Sequence, residues 1–347
     1  MCELLGMSFN LPVDPNISFR GFRYRSKKNP HGWGLAFYPD ESAHVIKEPI
    51  KAVESLLSKF LKDYPEVKSK LFIAHVRRGS SGSSIYKNTH PFQRELDGKE
   101  YVFAHNGTLQ KYGNLETGRF KSIGETDSEY AFCHLLNCIE ERGITHWARE
   151  DFEWLAGKLK EINKYGTFNC ILSDCEFLFC YHDKDSYNGL CFIHRKPPYG
   201  RIRLLDEDWD INLARKKDPN QTGFIIATRR LTDEPWESFR FGELIVLKDG
   251  RIVYSNFRDV SEVHSTSFTD LELKIFKILR ESLHRLSMRE IIIKSESSAT
   301  KVKSSIHALL CRGYIHQDSR DSVKWNHDDA TFYTNPSKRE KIDKSIK

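Results

Sequence analysis

The chain has 347 residues, 39% hydrophobic and 29% charged, with a net charge of +6. That length suits two domains, and the composition excludes a disordered or collagen-like chain. No apolar run nears the ~20 residues that a membrane-spanning helix needs, and Met1-Cys2-Glu3 has no signal-like character, so a cytoplasmic protein without a membrane segment is expected.

In chain order, short runs rich in β-branched and aromatic residues read as strands at Glu3–Ser8, Trp33–Tyr38, Leu71–Val76, Tyr101–Ala104, Thr167–Ser173, Phe177–Tyr181, Gly223–Thr228 and Leu244–Leu247. Lys248-Asp-Gly-Arg251 reads as a hairpin turn. Helical spacing predicts Val53–Lys62, with Val53, Leu56, Leu57, Phe60 and Leu61 sharing one face. It also predicts helices over Asp127–Glu140 and Phe152–Ile162. Strands and helices in blocks indicate a layered α+β architecture. Eight cysteines contain no CxxC pair; the closest spacings are Cys133/Cys138 and Cys170/Cys175/Cys180, which read as reduced thiols without a metal.

Ser255–Ser267 reads as a linker. Beyond it, Phe268–Leu283 is amphipathic, with Leu271, Ile275, Ile278 and Leu279 in register. Ser287-Met-Arg-Glu290 fits a capping box, and Ser298–Arg312 a third helix ended by Gly313. Tyr314–Gln317 and Thr331–Thr334 complete a hairpin. This order resembles a winged helix-turn-helix domain, and Leu309-Leu-Cys-Arg-Gly-Tyr-Ile315 suits its step from third helix to wing. Residues 265–347 hold 16 Lys/Arg against 11 Asp/Glu, whereas the first 264 hold 38 against 37. The basic tail points to an acidic partner. Lys301, Lys303 and His307, with Lys294 and Arg320 nearby, are candidate nucleic-acid contacts; a solvated helix face or a protein-contact surface is the alternative.

The second residue carries the most chemistry. Removal of Met1 would give Cys2 both a thiol and a free α-amine, a nucleophile and its base in one residue. A buried strand cysteine is the competing reading. Four further segments stand in order behind it: His31-Gly-Trp-Gly-Leu-Ala-Phe37, Ala74-His-Val-Arg-Arg-Gly-Ser80, Phe103-Ala-His-Asn-Gly-Thr108 and Gly124-Glu-Thr-Asp-Ser-Glu129. With Cys2 they make residues 2–262 resemble a class II, N-terminal-nucleophile glutamine amidotransferase of the small stand-alone type. The resemblance implies a four-layer αββα N-terminal-nucleophile hydrolase fold, followed by a winged-helix-like domain over 263–347.

The same resemblance implies roles. Cys2 would attack the side-chain amide of glutamine or a γ-glutamyl compound, with no cofactor. Asn106 and the Gly107 amide would form the oxyanion hole, Arg77 would clamp the carboxylate, and Asp127 would bind the ammonium. Ser80 would assist by hydroxyl donation, and His90 would line the site. Each has a plainer reading: Asn106-Gly107 as a type I′ turn, Asp127 as a helix N-terminal carboxylate, His90 as a structural loop histidine. Arg78 departs from the family's synthases, which carry an aromatic residue there; Gly79–Ser84 reads as a lid. The expected partners are glutamine or a γ-glutamyl small molecule, an ammonia-accepting protein, a second copy of the chain, and DNA through the tail. The alternative is a nucleic-acid-binding regulator that only senses glutamine.

Overall fold

The computed structural model describes residues 2–79, 82–207, 209–218, 220–258, 270–282, 284–311, 314–318 and 326–336. The first part holds β1 (Glu3–Val13), α1 (Asn16–Tyr24), β2 (Trp33–Phe37), β3 (His44–Glu48), α2 (Leu56–Leu61), β4 (Ser69–Val76), β5 (Phe92–Leu96) and β6 (Lys99–Leu109). Then come α3 (Asp127–Arg142), α4 (Arg149–Ile162), β7 (Gly166–Ser173), β8 (Leu178–Tyr181), β9 (Cys191–Arg195), β10 (Arg201–Leu204) and β11 (Trp209–Asn212). β12 (Gly223–Ala227), β13 (Glu237–Ser238), β14 (Leu244–Lys248) and β15 (Arg251–Ser255) close this unit.

Two antiparallel sheets stack face to face. One runs β13-β9-β12-β1-β4-β2-β3, the other β15-β14-β8-β7-β6-β5. The pleat of β1 explains the layering: Leu4 points between the sheets with Ile73, Ala104 and Ile171. Leu5, Met7 and Phe9 point outward, against Phe19 and Phe22 of α1. At Gly6, on the inner face, an added Cβ would stand 3.0 Å from Ile171, so a bare backbone lets the sheets approach. The second sheet's outer face is covered by α3 and α4 through Phe132, Leu136, Leu155 and Leu159. The result is the helix–sheet–sheet–helix arrangement that the resemblance implied.

Every strand named from the sequence is present. The hairpin turn is present too, with Asp249 (φ 46°) and Gly250 (φ 69°) both left-handed. The chain also forms α1, β3, β5, β9, β10, β11 and β13, which the sequence reading did not name. One expected helix is shorter than its spacing suggests. The Ser55 side chain accepts from Ser58 N at 2.8 Å and starts α2 at Leu56, leaving only six residues. Its buried residues are Ser58, held by Arg23 Nε at 3.0 Å, and Leu61. Of the apolar stripe, Leu61 is buried, whereas Leu56 and Phe60 are 82% and 56% exposed.

The second unit comprises α5 (Asp270–Glu281), β16 (Leu286–Ser287), α6 (Met288–Ser295), α7 (Ala299–Cys311), β17 (Ile315–Gln317) and β18 (Thr331–Thr334). Its antiparallel sheet runs β16-β18-β17. Ile275, Phe276 and Leu279 pack with Met288, Ile291, Val302, Ile306 and Phe332 as a separate core. The capping box is formed: Ser287 Oγ accepts from Glu290 N at 3.2 Å, and Glu290 accepts from Ser287 N at 2.7 Å. The expected linker begins later than Ser255, because the half-buried Arg258 still pairs with Glu243 at 2.6 Å. Gly313 and Arg320 lie outside the described residues.

Candidate active site

Cys2 stands just before β1, the middle strand of its sheet. Its Sγ accepts from Arg78 N at 3.1 Å and lies 3.3 Å from Arg78 O. Burial pushes the thiol above its usual pKa, opposed by the Arg78 backbone contact and the Arg77 charge. The resting group is therefore a neutral thiol, which attacks only when a base takes its proton. The Cys2 carbonyl accepts two side-chain amides, from Asn106 at 2.6 Å and Asn188 at 2.8 Å.

An open cleft of about 270 Å³ in front of the thiol is lined by Cys2, Arg77, Arg78, His90, Gly107 and Asp127, among others. Arg77 ends the run of β4, and its guanidinium donates to Gly82 O at 3.2 Å and Ser83 O at 3.4 Å. Burial lowers its pKa, while negative charge at Cys2 and Asp127 opposes that shift. A Cβ on Gly79 would stand 3.1 Å from this guanidinium, so glycine lets the loop fold over it. The first motif supports the second: His31 N donates to Arg77 O at 2.9 Å, Arg77 N to Gly32 O at 2.8 Å, and Gly79 N to His31 Nδ1 at 2.9 Å.

Asp127 is the first residue of α3, after Thr126, whose side chain accepts from Glu129 N at 3.2 Å. Its Oδ2 accepts from Leu109 N at 2.7 Å. It is thus both a helix N-terminal carboxylate and a wall of the cleft. Asn106-Gly107 is not a type I′ turn. Both residues continue β6, opposite Asn169 and Phe168 of β7. A Cβ at Gly107 would come 1.9 Å from Thr167 O, so the close strand approach requires glycine.

His90 is buried and packs its ring, tilted, against His75 with centroids 4.3 Å apart and against Phe92 at 4.5 Å. Burial lowers the pKa of His75 to about 3 and that of His90 well below its usual value. His105 is also lowered by burial, with Asp127 opposing; its Nδ1 lies 2.8 Å from Ser128 Oγ. All three imidazoles are neutral at neutral pH. Ser80 lies outside the described residues, as does the side chain of His307. Lys301 and Lys303 lie on α7, in the other unit, and Lys303 pairs with Asp328 at 2.9 Å.

Sequence reasoning gave no role to His31, although it opens a quoted motif, nor to Asn188, which the Asn188-Gly189 pair could have flagged. It also missed Glu3, a buried carboxylate beside the nucleophile, paired with Arg229 and, at 2.9 Å, with Arg25. A charged residue within an apolar strand was the available signal.

The family described as class II glutamine amidotransferases matches residues 1–270. The chain is similar to an uncharacterized protein of Methanocaldococcus jannaschii, 52% identical over 354 positions, covering 100% of this chain and 97% of that protein. It is similar to the putative glutamine amidotransferase YafJ of Escherichia coli, 39% identical over 253 residues, 70% of this chain and 96% of that protein. A crystal structure of a predicted glutamine amidotransferase from Pseudomonas aeruginosa aligns with TM-score 0.55 and 29% identity, covering 73% of this chain and 100% of that one. The glutamine phosphoribosylpyrophosphate amidotransferase from B. subtilis, at TM-score 0.50 and 15% identity, covers 98% of this chain and 70% of its own and is alike in fold alone. Among the described residues no helix is long and apolar enough to cross a membrane.

Proposed function

Because the chain belongs to the class II glutamine amidotransferases, and is therefore an enzyme of glutamine amide chemistry, we propose that Cys2 is its nucleophile once Met1 is removed. The Cys2 thiol attacks the side-chain amide carbon of glutamine or a γ-glutamyl compound, and the Cys2 α-amine takes the thiol proton. The tetrahedral oxyanion is held by the Asn106 amide and the Gly107 N–H. The C–N bond then breaks, the α-amine returns its proton to the leaving nitrogen, and ammonia from glutamine, or the amine of a γ-glutamyl amide, departs from a γ-glutamyl thioester. Water hydrolyses the thioester to glutamate and restores the thiol. Arg77 takes the α-carboxylate in a bidentate fork and Asp127 the α-ammonium. Ser80 assists from the loop, and His90 walls the pocket as a neutral ring. Arg78 at the rim suits a γ-glutamyl amide or peptide as well as free glutamine.

The observation that supports this most is that one cleft holds a thiol, a guanidinium and a carboxylate. Those are a nucleophile and the two counter-charges of a free amino acid. The test is glutamate release from glutamine and from γ-glutamyl amides, by protein shown by mass spectrometry to begin at Cys2. Ammonia passes to a partner protein or to solvent. For the second unit we propose a winged helix; its three helices and β16-β18-β17 sheet support that reading. DNA or a protein partner is its ligand, and binding of duplex DNA by that unit is the measurement that separates them.

A further inference from the structure

We propose that Asn188 is a positioning residue for the nucleophile, fixing the main chain of Cys2 so that thiol and amine both face the scissile amide. The proposal rests on the reading of Cys2 as N-terminal nucleophile. A chain end is the least constrained part of a fold unless something ties it down. Cys2 lies before the first ladder pair of β1, Glu3↔Val76. What holds it is its own carbonyl, which accepts from Asn106 Nδ2 at 2.6 Å and from Asn188 Nδ2 at 2.8 Å. The two donors are not equivalent. Asn106 is also the proposed oxyanion donor: one N–H lies on the carbonyl and the other serves the transition state. Asn188 has no such second duty, so its bond keeps Cys2 in place while Asn106 works.

The turn that carries Asn188 is held by a dense set of hydrogen bonds. Ser186 (φ 61°), Asn188 (φ 58°) and Gly189 (φ 73°) are left-handed, a conformation costly for ordinary side chains and tolerated by asparagine. The Asp183 carboxylate holds this turn. Its Oδ1 accepts from Asp185 N at 2.8 Å and Tyr187 N at 3.1 Å. Its Oδ2 accepts from Phe168 N at 2.7 Å and Asn163 Nδ2 at 2.8 Å. Asn169 closes the knot, donating to Tyr187 O at 2.6 Å and accepting from Asp183 N at 2.9 Å. Asn169 is also the cross-strand partner of Asn106. One strand pair and one knotted turn thus aim two amides at one carbonyl.

Two substitutions test this. Asn188→Gly keeps the left-handed backbone and deletes the amide. Asn188→Asp keeps size and backbone tolerance but turns a donor into an acceptor facing a carbonyl. Each is assayed with its N-terminal Cys2 verified, for kcat and KM with glutamine, for alkylation of Cys2 by iodoacetamide, and for Tm. A misplaced nucleophile slows chemistry without loosening the Arg77 and Asp127 clamps, so kcat should fall about 10- to 100-fold in both while KM stays within about 3-fold. Iodoacetamide needs no alignment with an oxyanion hole, so its rate should stay within about 3-fold, and Tm within a few degrees. Wild-type kcat in Asn188→Gly would overturn the proposal. So would a parallel collapse of kcat, alkylation rate and Tm, or loss of cooperative unfolding in both variants, since each assigns Asn188 to the fold alone. Wild-type protein that neither hydrolyses glutamine nor is captured at Cys2 by a glutamine-mimicking electrophile would refute the functional reading instead, without reference to either variant.

Discussion

At the scale of single residues, the proposed mechanism separates groups that act on the transition state from groups that hold substrate. Asn106→Ala removes a donor from an oxyanion that exists only transiently, so kcat should drop roughly 10²–10³-fold with little change in glutamine affinity. Steady-state kinetics on protein with a verified Cys2 terminus checks this; unchanged turnover would remove Asn106 from the oxyanion hole. Arg77→Ala and Asp127→Asn should do the opposite and mainly weaken binding, because each leaves a charged substrate end unpaired, at a cost of about 2–5 kcal/mol. Affinity measured on the Cys2→Ala background, where no turnover depletes the ligand, is the readout. Arg77 and Asp127 were legible in the sequence because short motifs at strand and helix ends carry them, and such ends are placed by rigid elements. Asn188 was not, because its bond to Cys2 joins positions 186 apart and only the sheet stacking brings them together.

At the scale of elements, burial decides more than pattern does. Apolar spacing over Val53–Lys62 gave one face, yet α2 starts only at Leu56 and its stripe is split, with Leu61 buried and Leu56 and Phe60 exposed. Periodicity reports that a helix has a preferred face and cannot say which neighbour will cover it. Phe60→Ser should therefore change stability by no more than ~0.5 kcal/mol, whereas Leu61→Ala, 4% exposed, should cost about 2–5 kcal/mol. Urea unfolding of the two variants separates the faces. The strands around the cleft bury His75, His90 and His105 as neutral rings. In the unfolded chain these groups take up protons near pH ~6.5, whereas in the fold His75 resists down to about 3. Their contribution is thus complete above pH ~6.5 and is lost as pH falls toward 3, with a slope of at most ~1.4 kcal/mol per pH unit per histidine. Urea midpoints at pH 7.5 and 5.5 should show this, and His75→Gln should flatten the dependence. Identical pH dependence in that variant would mean that His75 is not held neutral.

At the scale of the whole molecule, the two units have separate cores. Every residue proposed for hydrolysis, and Asn188 behind it, lies before β9, whereas the surplus positive charge lies after residue 264. A chain ending at residue 262 keeps the Arg258–Glu243 pair that closes the first unit. It loses α7, which runs beside β13 at the far edge of the seven-stranded sheet from β2 and β3. Removal should lower Tm by uncovering that edge and leave kcat for glutamine within about 2-fold. Loss of activity in a truncated protein that still unfolds cooperatively would tie the second unit to catalysis. For DNA, the pairing of Lys303 with Asp328 matters, because a phosphate must displace a carboxylate already in place. Binding through this face should be weak at physiological salt and strengthen steeply as salt is lowered, since each phosphate contacted releases counterions. Lys301→Glu with Lys303→Glu should abolish it without touching hydrolysis. A salt titration of residues 263–347 on mixed duplex DNA decides the matter, and no binding even at low ionic strength would assign the second unit to protein contacts.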